Sequence, residues 1–84
     1  MEKINKIKAK KLFNQGYIIR VIPNKLSPKN KYKLYMDIKY LDSNRIQNMD
    51  NIYYCNDFDF IISSYKDNML NFENGYYLNY YIVN

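Results

Sequence analysis

Asp57 and Asp59 are the acidic pair best placed to hold a divalent cation, with Asp50 as a third ligand if the three converge, and Mg²⁺-assisted phosphodiester chemistry is what such a group would support. Asp57 and Asp59, however, fall at the start of a helical pattern, where carboxylates serve to stabilise the positive end of the helix dipole. The chain has no His, so the usual general base near neutral pH is missing, together with every Ser-His or Cys-His arrangement. Its one cysteine, Cys55, has no neighbouring base to draw off a proton and reads as a small core residue, and without His it cannot anchor a zinc site. Gly16 and Gly75 are the only glycines, too few for a phosphate-cradling loop. These residues point away from an enzyme, and they imply no metal and no cofactor.

The other chemistry available is contact with a macromolecule. In Lys31 to Leu41, KYKLYMDIKYL, Tyr32, Leu34, Met36, Ile38 and Tyr40 alternate with Lys31, Lys33, Tyr35, Asp37 and Lys39, the period of a strand with one buried face. Lysine interleaved with tyrosine is what a single-stranded nucleic-acid platform shows, but most of these tyrosines fall on the core side. Tyr35 is the one left among the lysines. Tyrosine also gives large, rigid contact area at protein interfaces. Eleven tyrosines in 84 residues exceed what so small a core can enclose, so several must face outward, as a protein-binding surface or a homodimer seam.

Charge is unevenly distributed. Residues 1–48 hold 12 Lys or Arg against 3 acids, a balance of +9, and residues 49–84 hold one Lys against 5 acids, a balance of −4, giving the net +5. Such a basic pole favours acidic partners and speeds their association. Asn, Lys, Ile and Tyr supply 13, 11, 11 and 11 residues, the mark of AT-rich coding. A single cysteine excludes an internal disulfide and fits a reducing compartment. The longest apolar runs, Ile52 to Cys55 and Tyr80 to Val83, are far too short to span a membrane, and no apolar stretch follows the lysine-rich start as a secretory signal would require. A cytoplasmic protein is the expectation.

The elements that must position these residues follow from period and punctuation. Glu2 to Asn14 predicts a helix ended by Gly16 in the left-handed C-cap position, with Lys3, Lys6 and Lys10 aligned along one side. Tyr17 to Ile22 predicts a strand, Pro23 to Asn30 a basic loop, Lys31 to Leu41 the central strand and Ile52 to Cys55 a short one, with Arg45 to Asn51 ambiguous. Phe58, Ile61, Ile62, Tyr65, Met69 and Phe72 carry helical spacing behind an Asn56 cap, and Tyr76 to Val83 predicts a last strand with tyrosine on both faces. Residues 1–84 thus form a single α+β domain, a mostly antiparallel four-stranded sheet with two helices in the order α-β-β-β-α-β, helices on one face and the other open. The open face would carry Lys31, Lys33, Tyr35 and Lys39 with either Tyr76 and Tyr80 or Tyr77 and Tyr81.

In size, composition and coarse topology the chain is similar to the small proteins with which bacteriophages and mobile elements disable host machinery, anti-CRISPR proteins among them. The resemblance carries over no individual residue. It implies a stoichiometric inhibitor of a host protein or ribonucleoprotein complex, such as a CRISPR or other defence nuclease, working in the host cytoplasm. On that reading Tyr35, Tyr77 and Tyr81 anchor the partner while Lys31, Lys33 and Lys39 steer it. The alternative is a nucleic-acid-binding regulator that uses Lys3, Lys6 and Lys10 with Lys25, Lys29, Lys31 and Lys33.

Overall fold

The computed structural model describes residues 1–24, 35–54, 57–69 and 77–83, with the backbone alone for 66–69. The elements are β1 (Glu2–Ile4), α1 (Lys6–Asn14), β2 (Ile18–Pro23), β3 (Met36–Asp42), β4 (Arg45–Asn48), β5 (Asn51–Tyr53), α2 (Phe58–Met69) and β6 (Leu78–Val83). The expected α+β class with two helices and an antiparallel sheet is present, but the sheet has six strands in the order β1-β6-β2-β3-β4-β5, not four. Every neighbouring pair is antiparallel.

Two corrections explain the difference. The predicted helix from Glu2 is a three-residue strand followed by a shorter helix, because Asn5 stands between them as N-cap and its side-chain oxygen accepts a hydrogen bond from the Lys8 N–H at 2.8 Å. Ile4, freed from the helix, is buried opposite Tyr80 of β6. The ambiguous segment after Asn44 is β4, which pairs on both sides and turns into β5 through Met49 and Asp50.

Helix ends are set by local chemistry. Gly16 sits at φ +96°, its N–H donates to the Phe13 carbonyl, and the Tyr17 N–H donates to the Leu12 carbonyl, a Schellman stop that only the left-handed conformation allows. At α2 the side chain of Asp57 accepts from the Asp59 N–H at 2.9 Å and caps the helix. The predicted cap Asn56 lies outside the described residues, as do Cys55 and Gly75.

Strand alternation decides the rest. Ile19 and Val21 of β2, Met36 and Ile38 of β3, Ile46 of β4 and Tyr80 of β6 point to the helix side and are buried. Phe13 of α1 lies at their centre, 6.0 Å from the Tyr40 ring and 5.4 Å from Phe58 of α2. Full burial of a side chain that size is worth roughly 1.5–3 kcal/mol, so this aromatic cluster holds both helices to one face. Asp59 of α2 ties them together outside the core, paired with Lys10 and, at 3.9 Å, with Lys6. Among the described residues, two buried polar atoms, the Tyr65 hydroxyl and Asn48 Oδ1, have no hydrogen-bond partner.

Candidate functional site

With both helices on one side, the other face of the sheet is uncovered among the described residues, and its side chains follow from the strand registers. Lys3 pairs with Tyr81, Tyr81 with Arg20, and Arg20 with Asp37, so these four stand in one row across β1, β6, β2 and β3. A second row runs Val83, Ile18, Lys39, Gln47 and Ile52, and a third holds Asn79, Ile22 and Tyr35. Tyr77 lies at the end of β6, its N–H donating to the Asn24 side chain and its carbonyl accepting from the Asn24 N–H. Six strands spaced about 4.8 Å apart make this surface about 24 Å wide.

At its centre Arg20 makes two hydrogen bonds to Asp37, Nε to Oδ1 at 2.7 Å and Nη2 to Oδ2 at 2.8 Å, with side chains 25% and 22% exposed. The hydrogen bonds to the Asp37 carboxylate hold the Arg20 guanidinium even more firmly protonated than usual. The same guanidinium lies over the Tyr35 ring, 4.1 Å from its centroid, and Tyr81 flanks it on the next strand. A planar cation is therefore fixed between a carboxylate and an aromatic face, with Ile18, Ile22 and Val83 around it. This geometry can bury against a partner without first being reorganised.

Of the residues singled out as partner-binding, Tyr35, Lys39, Tyr77 and Tyr81 share this face; Lys31 and Lys33 lie outside the described residues, and so do Lys25 and Lys29 of the nucleic-acid alternative. The choice between tyrosine pairs resolves to Tyr77 and Tyr81, since Tyr80 is in the core. Lys3, Lys6 and Lys10 do not line up on one helix: Lys3 is on β1 beside Tyr81, whereas Lys6 and Lys10 sit on α1 and engage Asp59. Lys8 approaches Glu2 at 3.7 Å, so much of the helix charge is already matched. Among the described residues, Lys3, Lys11 and Lys39 have no ion-pair partner, and two of the three border the uncovered face.

Arg20 and Asp37 are the residues sequence reasoning missed. Their signal was a lone charge inside β2 and an acid inside β3, legible only once the antiparallel register placed one opposite the other.

Among the described residues, a shallow depression of about 440 Å³ runs along α1, lined by Asn5, Ile7, Lys8, Lys11, Leu12 and Gln15. All six come from one stretch of chain, and among the described residues no second element closes it. Among the described residues no three His, Cys, Asp or Glu side chains converge as metal ligands, and no helix is long and apolar enough to cross a membrane. No family model matches this sequence, and comparison with curated proteins and with solved structures gave no significant match.

Proposed function

We propose that this protein is a non-enzymatic binding module that docks a partner protein on its uncovered sheet face, with Arg20, Tyr35 and Tyr81 as anchors and Lys3 and Lys39 as flanking charges. The observation that carries the reading is the Arg20–Asp37 pair stacked on Tyr35 at the middle of that face. Arg and Tyr dominate the energetic centres of protein interfaces, and an ion pair already formed in the free protein loses little freedom on docking. The complementary surface is an apolar patch bearing carboxylates that reach the two unpaired lysines. A host defence nuclease complex is the target class that the resemblance in size and composition suggests, with inhibition by occupancy.

Nucleic acid fits this face less well. Asp37 neutralises Arg20, the guanidinium occupies one side of the Tyr35 ring that a base would need, and Lys6 and Lys10 are engaged elsewhere. The test is an affinity capture from host lysate with and without nuclease treatment, comparing the wild type, Tyr81→Ser, Lys39→Glu and an Ile7→Ser control on α1. A stoichiometric protein partner that survives nuclease, is kept by Ile7→Ser and is weakened roughly tenfold or more by the two sheet variants supports the reading. Recovery that vanishes with nuclease, or that ignores both sheet variants, refutes it.

A further inference from the structure

The two edges of the sheet are not equivalent. The outer strand β1 carries charge at two of its three positions, Glu2 and Lys3, and Lys8 stands close by, the usual guard against unwanted strand addition. The opposite edge, β5, has no charged residue, and Asn51, Ile52 and Tyr53 are all exposed, with Ile52 at 53% and the following Tyr54 at 86%.

In a hairpin closed by two residues, the flanking pair exchanges both backbone hydrogen bonds, and later residues alternate between facing the partner strand and facing away. Asn48 and Asn51 flank the Met49–Asp50 turn, so Asn51 and Tyr53 spend their backbone groups on β4, while Ile52 directs its N–H and C=O outward. A second β5 laid antiparallel with Ile52 opposite its own copy gains two N–H···O bonds between the two Ile52 residues. That register also sets Asp50 of each copy opposite Tyr54 of the other, a carboxylate against an exposed phenol, twice by symmetry. A foreign strand would match the hydrogen-bond phase alone; a second copy matches both the phase and the acceptor and donor beside it.

We infer that this chain self-associates as a two-fold dimer through antiparallel β5–β5 pairing centred on Ile52. The two six-stranded sheets become one, with both uncovered faces on the same side. So short a seam buries less than the roughly 1,200–2,000 Å² of a stable complex, which places the dimer among weak, concentration-dependent associations.

Sedimentation of the wild type, Ile52→Pro and Ile52→Lys over a concentration range of about 10 μM to 1 mM tests this, together with hydrogen exchange of the Ile52 amide in the wild type. The expected wild-type mass rises towards two chains, and the Ile52 amide becomes protected only as it does. Proline removes the outward donor without taking a hydrogen bond from β4, and lysine sets two ammonium groups face to face. Each variant should raise the dimer dissociation constant roughly tenfold or more while far-UV circular dichroism is unchanged. If Ile52→Pro perturbs the fold, Ile52→Lys alone decides. A wild type that stays one chain at the highest concentration overturns the inference, and so does a dimer whose affinity neither variant changes. Neither outcome bears on Tyr81 and Lys39, so the partner-binding reading is tested separately.

Discussion

Replacing Tyr65 by Phe removes one oxygen from a side chain that is only 5% exposed and whose hydroxyl has no hydrogen-bond partner. In the unfolded chain that hydroxyl is hydrated, and leaving a buried polar group unpaired costs about 1–3 kcal/mol. The ring, which supplies the packing, is retained. Tyr65→Phe is therefore expected to stabilise the fold by about 1 kcal/mol at pH 7, which for a domain of this size is about 4–8 °C in Tm.

The same burial pushes the Tyr65 phenol up to about 12. Because its folded value lies above the unfolded value of about 10, its stability contribution is complete below pH 10 and is lost as pH climbs towards 12. At pH 11 the wild type should have lost about 1 kcal/mol through this group, a loss that Phe cannot suffer. Tyr80, also pushed up to about 12, by burial and then by the charge of Asp59, adds a similar loss to both proteins, so it cancels in the comparison. Urea unfolding at pH 7 and 11 should show the advantage of Tyr65→Phe widening from about 1 to about 2 kcal/mol. A variant less stable than the wild type at pH 7, or a gap that does not widen, would mean that the hydroxyl is hydrogen-bonded after all and would refute the reasoning.

Asn5→Ala removes the side-chain acceptor at the start of α1, and thermal unfolding should show a loss of about 1 kcal/mol, with Asn5→Ser recovering most of it. The hydrogen bond from Lys10, aided by its charge and that of Lys6, holds the Asp59 carboxyl below the usual carboxylate range. Its contribution is present above the unfolded value of about 3.9 and is lost as pH falls through the folded value. Urea midpoints measured between pH 5 and 2 should therefore fall less steeply in Lys10→Gln than in the wild type, and parallel slopes would show that the pair contributes nothing.

The fold was legible wherever a pattern was local. Alternation in β3 put Met36 and Ile38 on the core side, the helical spacing of Phe58, Ile62 and Tyr65 marked α2, and Gly16 marked the end of α1. What stayed hidden depends on partners distant in sequence. Glu2–Ile4 is too short to show a period and is extended because β6 pairs with it. Arg45–Asn48 has a single apolar residue, and its turn runs through Met49 at φ 55°, where Gly or Asn would have announced a hairpin. For the candidate site, the sequence suggested Tyr35 and Lys39 through strand alternation. It named Tyr81 as an anchor, but alternation gave no ground for preferring it to Tyr80, because both belong to an all-apolar run whose facing is fixed by packing against Phe58, whose ring lies 6.2 Å from that of Tyr80.

The position of β6 bears on how the protein is made. It lies between β1 and β2, so during synthesis the first strand has no neighbour to pair with until Tyr80 to Ile82 clear the ribosome. The β2–β3–β4–β5 meander can form earlier, but with an unpaired β2 flank bearing Ile19 and Val21. Closing so long a loop late makes maturation slow and leaves that flank open to chaperones or to misassembly. Nascent chains stalled just short of Leu78 should bind holdases and be cleaved readily by proteases, whereas those stalled well past Val83 should not.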